Sequence, residues 1–434
     1  MTRDLNCGAT VLLSMPRAGG FAVAAGFGAC TVRFDKDERR ECADNGQMEN
    51  VSTMLTRRTL VRMMAATAVL PATVEGFAAV KKTRLLIGTG TGGKSKSKGI
   101  YVADFDATTG SLGEMTLAAE LESPTWIAVD RHQQHLFAIS EVKKGMVTSF
   151  AVNKGSGVTL TKVNEQSAEG SGPAHVGVNR DGKSVYVANY GSGSLTSYAV
   201  DKAGTISPSI SHFQYKPVDG LPEHAHPHAH EATPSPDGKF LLVNDLGSDR
   251  IMIYRIDQKT GKLTENTPAF WQGRQKSGPR HLTFHPNGKW VYNVNELDST
   301  VDHLAWDKHT GTLTTIGSFV STLEPDFPKN TAFCSEILTS KDGRFCYVGN
   351  RRNETVAMLS IDHKTGAVKL EQVIEHGGKT ARHVTLDPTE KFLLVACQDS
   401  AQVSVMARDA VTGKLSGPVK LFPIDSPQCL VFVS

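Results

Sequence analysis

From Leu85 onward the chain alternates short apolar runs with tight polar turns, and no apolar periodicity of helical length intervenes. Seven runs end in an acidic or amide residue: Ile100 to Asp106, Met146 to Asn153, Leu195 to Asp201, Ile251 to Asp257, Val301 to Asp307, Val356 to Asp362 and Val403 to Asp409. Their ends recur roughly every 50 residues, the period of a propeller blade. Five continue as Asp-x-x-Thr-Gly, placing Gly110, Gly261, Gly311, Gly366 and Gly413 where a turn needs positive φ. In one unit, Ala232 to Ser235 leads through Pro236-Asp237-Gly238-Lys239 to the strand Phe240 to Val243, polar Asn244-Asp245, a glycine loop and the strand Ile251 to Ile256. Asp181-Gly182, Asn287-Gly288 and Asp342-Gly343 repeat the hairpin signal. The pattern predicts an all-β fold, a seven-bladed β-propeller with four antiparallel strands per blade.

The first unit begins at Leu85 without an inner strand. The C-terminal Ser426-Pro427-Gln428-Cys429-Leu430-Val431-Phe432-Val433 matches the inner-strand opening Ser123-Pro124-Thr125-Trp126-Ile127-Ala128-Val129. The last strand is therefore expected to join the first blade and remove two exposed edges. Hydrophobic residues make up 39% of the chain, and 47 basic against 44 acidic side chains leave a charge of +3. That composition argues against disorder, and the near-neutral total gives no field to recruit nucleic acid.

Residues 1–53 share no pattern with the repeat and read as an over-translated or disordered extension, with Met54 as the expected start. Residues 54–78 carry a basic Thr56-Arg57-Arg58-Thr59-Leu60-Val61-Arg62, an apolar run from Met63 to Ala72 and the small-residue exit Gly76-Phe77-Ala78. This order is that of a secretory signal peptide of twin-arginine type, departing from that motif at Leu60, Val61 and Arg62; the alternative is a basic linker. Its apolar run is about ten residues, against the roughly 20 that span a bilayer, so no stable membrane insertion is expected. The mature protein, residues 79–434, would be periplasmic or secreted, and cytoplasmic if the signal is unused. Its Cys334, Cys346, Cys397 and Cys429 lie mostly in apolar strands without metal spacing, and read as buried thiols.

Antiparallel pairing puts the start of each inner strand and the end of the second strand at one mouth of the channel. There the polar residues that turns do not explain collect: His175, His228, His230, Arg280, His281, Glu336, Arg382 and His383 at strand starts, and Glu141, Tyr190, Asp245, Glu296, Arg351 and Arg352 at strand ends. Several like charges beside a narrow channel are costly unless carboxylates or a bound anion neutralise them. A binding or catalytic site for a small anion such as a carboxylate is therefore expected, on a monomer that needs no cofactor. Strand alternation lets one member of each Arg-His pair face the site. Arg280 and Arg382 are expected to do so, while His281 and His383 pack between blades. The alternating His224, His226, His228 and His230 leave open a metal site, substrate contact or a polar loop. No carboxylate at defined spacing completes a metal set and Pro227 interrupts pairing, so no metal is expected.

Pro227-His228-Ala229-His230, Asn244-Asp245-Leu246-Gly247, Gly278-Pro279-Arg280-His281, Val294-Asn295-Glu296-Leu297-Asp298-Ser299 and Asn350-Arg351 together resemble the lactonase family of seven-bladed propellers. That family includes 6-phosphogluconolactonase and 3-carboxymuconate cyclase, and the resemblance runs from about Arg84 to the C-terminus. It implies catalytic roles for His230, Glu296, Arg280 and Arg351. The sequence adds His228, Arg382, Asp245, Glu336, Tyr190 and Glu141 as substrate contacts. Arg352 and Ala381 depart from the family pattern, where Gly and Pro are commoner. The implied activity is 6-phosphogluconolactonase-like hydrolysis of a sugar-acid lactone. A cycloisomerase of the carboxymuconate type uses the same side chains, and a non-catalytic propeller binding a cell-envelope ligand or protein is the third reading.

Overall fold

The computed structural model describes residues 83–155, 157–218 and 226–434. The expected extension, the expected signal peptide and His224 lie outside them. The described chain forms seven antiparallel sheets, each of four strands. In two sheets the outermost strand is split into two short pieces, Ser111–Leu112 with Thr116–Glu120 and Thr312–Thr315 with Val320–Ser321.

Blade 1 is closed from both ends of the chain. Its inner strand, Pro427–Val433, pairs with Thr83–Thr89 in a register running from Arg84 opposite Val433 to Thr89 opposite Pro427. Blades 2 to 7 begin at inner strands Ile127–Val129, Pro173–Val178, Ala229–Pro234, Pro279–Phe284, Phe333–Thr339 and Ala381–Leu386.

Each interface between neighbouring blades holds its own apolar cluster, and the second strand of a blade feeds the clusters on both sides. In Phe392–Cys397, Phe392, Leu394 and Ala396 pack toward blade 1, while Leu393, Val395 and Cys397 pack toward blade 6. A strand buried on both faces needs apolar residues at every position, which accounts for the unbroken apolar runs. The four described cysteines are free and buried within these layers.

The Asp-x-x-Thr-Gly turns form as expected. Asp257 Oδ1 accepts bonds from the Thr260 amide (2.8 Å) and hydroxyl (2.9 Å), and the Gly261 amide donates to the Asp257 carbonyl. Gly413 takes φ 71°, and a Cβ there would meet the Phe345 ring of the preceding blade at 2.5 Å, so glycine serves both turn and packing.

The inner strands carry the feature that shapes the mouth. Register slips by one residue between Ala229 and Glu231, between Pro279 and His281, and between Ala381 and His383, each a β-bulge. The same slip falls between Cys334 and Ile337 in blade 6, opposite Ala188/Asn189 in blade 3 and opposite Gly88/Thr89 in blade 1. The extra residues are Gln428, Ala174, His230, Arg280, Ser335 and Arg382. A bulge suspends strand alternation, so two successive side chains turn toward the axis.

Cys429, Leu430 and Val433 are almost wholly buried between blades 1, 2 and 7, so the last strand is part of two interblade cores. A chain lacking residues 427–434 is expected to lose soluble, cooperative folding, read by thermal unfolding; a melting curve like that of the intact protein would show that closure is dispensable.

Candidate active site

The bulge residues and the residues that follow each second strand build the mouth. Arg280 is 1% exposed. Its Nε donates to Glu296 Oε2 at 2.8 Å and its Nη1 to the Ser335 carbonyl at 2.6 Å. Arg351 Nη2 reaches the same Glu296 oxygen at 2.8 Å and the Cys334 carbonyl at 3.0 Å. One carboxylate thus bridges guanidinium groups from blades 5 and 6. Burial works to raise the Glu296 pKa, but Arg351, Arg280 and Arg382 outweigh it and hold the group below the usual carboxylate range. Glu296 is an ionised structural counter-charge rather than a ready proton acceptor.

A cleft of about 720 Å³ opens above this pair. Glu141, Glu296, Arg351, Arg352 and Arg382 line it, with Thr91, Ser123, Thr125 and Gln428 on the blade 1 and 2 side. Arg352, at φ 67°, lays its guanidinium 4.4 Å from the Phe333 ring centroid. Arg382 is half-buried, and among the described residues its side chain makes no hydrogen bond or ion pair. Burial and then Arg351 disfavour its charge, while Glu141 and Glu296 favour it.

His230, 4% exposed, and Tyr190 lie within electrostatic reach of Arg280, Arg351 and Arg382 but are not among the residues that line the cleft. Tyr190 stacks on His228 at 4.4 Å and meets His230 edge-on at 5.5 Å. Burial, then Arg280 and His281, push the His230 pKa well below its ordinary value, so the imidazole is neutral near pH 7. Its Nδ1 lies 3.1 Å from His281 Nε2, and its Nε2 has no partner among the described residues.

Two expectations need correcting. His281 and His383 do not pack between blades. They fill the channel with Trp126 and His175 from other blades, at centroid distances of 5.0 Å for Trp126–His281, 5.2 Å for Trp126–His383 and 5.7 Å for His175–His281. The bulge is the cause, since it turns both Arg280 and His281 inward. Of the expected site residues, Glu141, Glu296, Arg351 and Arg382 line the cleft, whereas His228, His230, Tyr190, Arg280, Asp245 and Glu336 do not: Asp245 Oδ1 accepts the His228 amide at 2.7 Å, and Glu336 lies in the ring below, bonded to His281. The described histidines of the alternating run do not gather either, because His226 is exposed, His228 Nδ1 engages the Tyr190 carbonyl and His230 engages His281. No group of metal-ligating side chains is present among the described residues.

Sequence reasoning passed over Gln428 and Trp126. Both were findable, because Gln428 aligns with Arg280 and Arg382, and Trp126 with His175 and His281, once the repeat is written out.

Comparison with known proteins fits this geometry. The family model described as "Lactonase, 7-bladed beta-propeller" matches residues 84–432. The chain belongs to the lactonase family. It is 31% identical over 346 residues to the 6-phosphogluconolactonase of Bacillus subtilis (strain 168), spanning 79% of this chain and 97% of that protein. A 6-phosphogluconolactonase of Formosa agariphila is 29% identical over 333 residues, spanning 74% and 92%. Among solved structures, the periplasmic gluconolactonase of Pseudomonas aeruginosa superposes with a TM-score of 0.76 at 28% identity, covering 81% of this lactonase and 99% of its own chain. No helix among the described residues of this lactonase is long and apolar enough to cross a membrane.

Proposed function

We propose that this lactonase hydrolyses a sugar-acid lactone at the mouth lined by Arg351, Arg382 and Glu296. The chain is a lactone hydrolase of the 6-phosphogluconolactonase-like type, and neither the cycloisomerase nor the non-catalytic reading is favoured by its relatives. The observation that carries the site assignment is Arg382, a cation facing a cleft without a protein partner. Negative charge, brought as a phosphate or created when the ring opens to a carboxylate, is held there by charge-assisted hydrogen bonds.

His230, neutral and without a partner at Nε2 among the described residues, takes the proton of the attacking water and returns it to the leaving alkoxide, a role worth roughly 10²–10⁴-fold. Arg351 polarises the lactone carbonyl and stabilises its oxyanion, an effect of about 3–4 kcal/mol. Arg280 holds Glu296 in place and adds charge from behind. Glu141 accepts a substrate hydroxyl across the cleft, and Tyr190 with His228 fixes the flank beside His230.

The export segment at residues 54–78 puts the mature enzyme outside the cytoplasm, where phosphorylated sugars are scarce. The substrate that follows is an unphosphorylated sugar-acid lactone, in keeping with the periplasmic gluconolactonase among its structural neighbours.

Two experiments test these readings. In a pH-stat, the enzyme should release one acid equivalent per lactone opened, and Arg351→Met should lower kcat by about 10²–10³-fold; full activity in that variant, or loss of diene absorbance from a muconate without lactone opening, would overturn the assignment. N-terminal sequencing of the exported protein should begin near Ala79, whereas a cytosolic enzyme with an intact N-terminus would restore a phosphorylated substrate.

A further inference from the structure

Below the mouth a buried chain of titratable groups runs inward from His230, and lactone binding does not require it. His230 Nδ1 lies 3.1 Å from His281 Nε2, and His281 Nδ1 lies 2.9 Å from Glu336 Oε2. All three side chains are at most 10% exposed. The other Glu336 oxygen accepts the Ile337 amide at 3.1 Å, which fixes the carboxyl group against its own strand. The three residues come from blades 4, 5 and 6, and each follows from the bulge in its inner strand.

We propose that Glu336, His281 and His230 form a proton relay, in which the proton drawn from water at His230 comes to rest on Glu336. The inference rests on His230 as the base of lactone hydrolysis. With Glu336 ionised, His281 donates its Nδ1 proton to the carboxylate and must accept at Nε2. His230 then carries its own proton on Nδ1, and its Nε2 holds the lone pair.

When water attacks the lactone carbonyl, its oxygen forms the new bond to carbon and its proton passes to His230 Nε2. The Nδ1 proton of His230 moves to His281 Nε2, and the Nδ1 proton of His281 moves to Glu336. As the ring C–O bond breaks, the electron pair stays on oxygen and the same protons return in reverse to neutralise the alkoxide. No imidazolium persists, and Glu336 and His281 act as positioning residues that never touch substrate.

The electrostatics give this route its purpose. An imidazolium at His230 would be buried beside Arg280, with Arg382 and Arg351 adding further repulsion. His281 faces the same three arginines as well as His175, and Tyr190 packs on His230. Glu336 sits where a proton is welcome: burial raises its pKa above the usual carboxylate range, against opposing effects of His383, 3.7 Å away, and Arg280. Glu231 beside it is pushed well above the usual carboxylate range by burial and by Glu336, and so carries its own proton.

The test is the pH profile of kcat, with ¹⁵N NMR of the histidines in the wild-type protein. Protonation of the relay at Glu336 sets the acidic limb. Glu336→Gln removes that proton store, so the relay protonates less readily and the limb moves to lower pH, while kcat falls about 10²-fold or more with KM little changed. Glu336→Asp recovers part of kcat, and His281→Leu loses it as Glu336→Gln does. NMR at the pH of full activity shows His230 protonated on Nδ1 and bare at Nε2, a reading that stands even if a variant fails to fold. Wild-type kcat and acidic limb in Glu336→Gln, alongside an inactive His230→Gln, would overturn the relay and leave the base intact. An active His230→Gln would overturn the base and the relay together, and a proton on Nε2 in the resting enzyme would overturn the relay.

Discussion

The site depends on a single backbone device, the bulge near the start of the inner strand. An unbroken strand would send alternate side chains to opposite interblade cores, leaving room for one polar residue per blade at the channel. With the extra residue, each bulged blade presents two. Of the first set, Arg382 and Gln428 line the cleft while His230 and Arg280 are buried behind it, and the next residues in line, Glu231, His281, Glu336 and His383, plug the channel beneath. Sevenfold closure then brings residues far apart in sequence within hydrogen-bond reach, as with His281 and Glu336.

Such convergence has an electrostatic cost, and Glu296 offsets it. Arg280 and Arg351 share one of its oxygens, so two guanidinium groups are held close without an anion from solution. Arg382 is left over. One carboxylate between two guanidinium groups leaves the network positive and Arg382 adds to it, which is the arrangement needed to take up an anion or to stabilise one as it forms.

Much of the fold is written locally, and much of the site is not. The Asp-x-x-Thr-Gly turns were readable because their chemistry closes within five residues, and the apolar strand runs because burial on two faces demands them. His230, Arg280, Arg351, Arg382 and Glu296 could be placed at one mouth from strand order alone. What strand logic missed is what the bulge changes: it predicted one inward side chain where two exist, and so assigned His281 and His383 to interblade packing. Asp245 and Glu336 were expected in the cleft because a carboxylate at a strand end looks the same whether it meets substrate or protein. Their partners, the amide of His228 and the ring of His281, are set by tertiary contacts that no local pattern records.

The central claim is that a cationic mouth, its two guanidinium groups held together by Glu296 between Arg280 and Arg351, is poised for an anion. Measuring the unfolding free energy of Glu296→Gln with and without added gluconate tests it most directly. Breaking a buried ion pair on one side should cost about 3–5 kcal/mol, and the carboxylate ligand should restore part of the loss. A variant as stable as the wild type, or one indifferent to gluconate, would contradict the account.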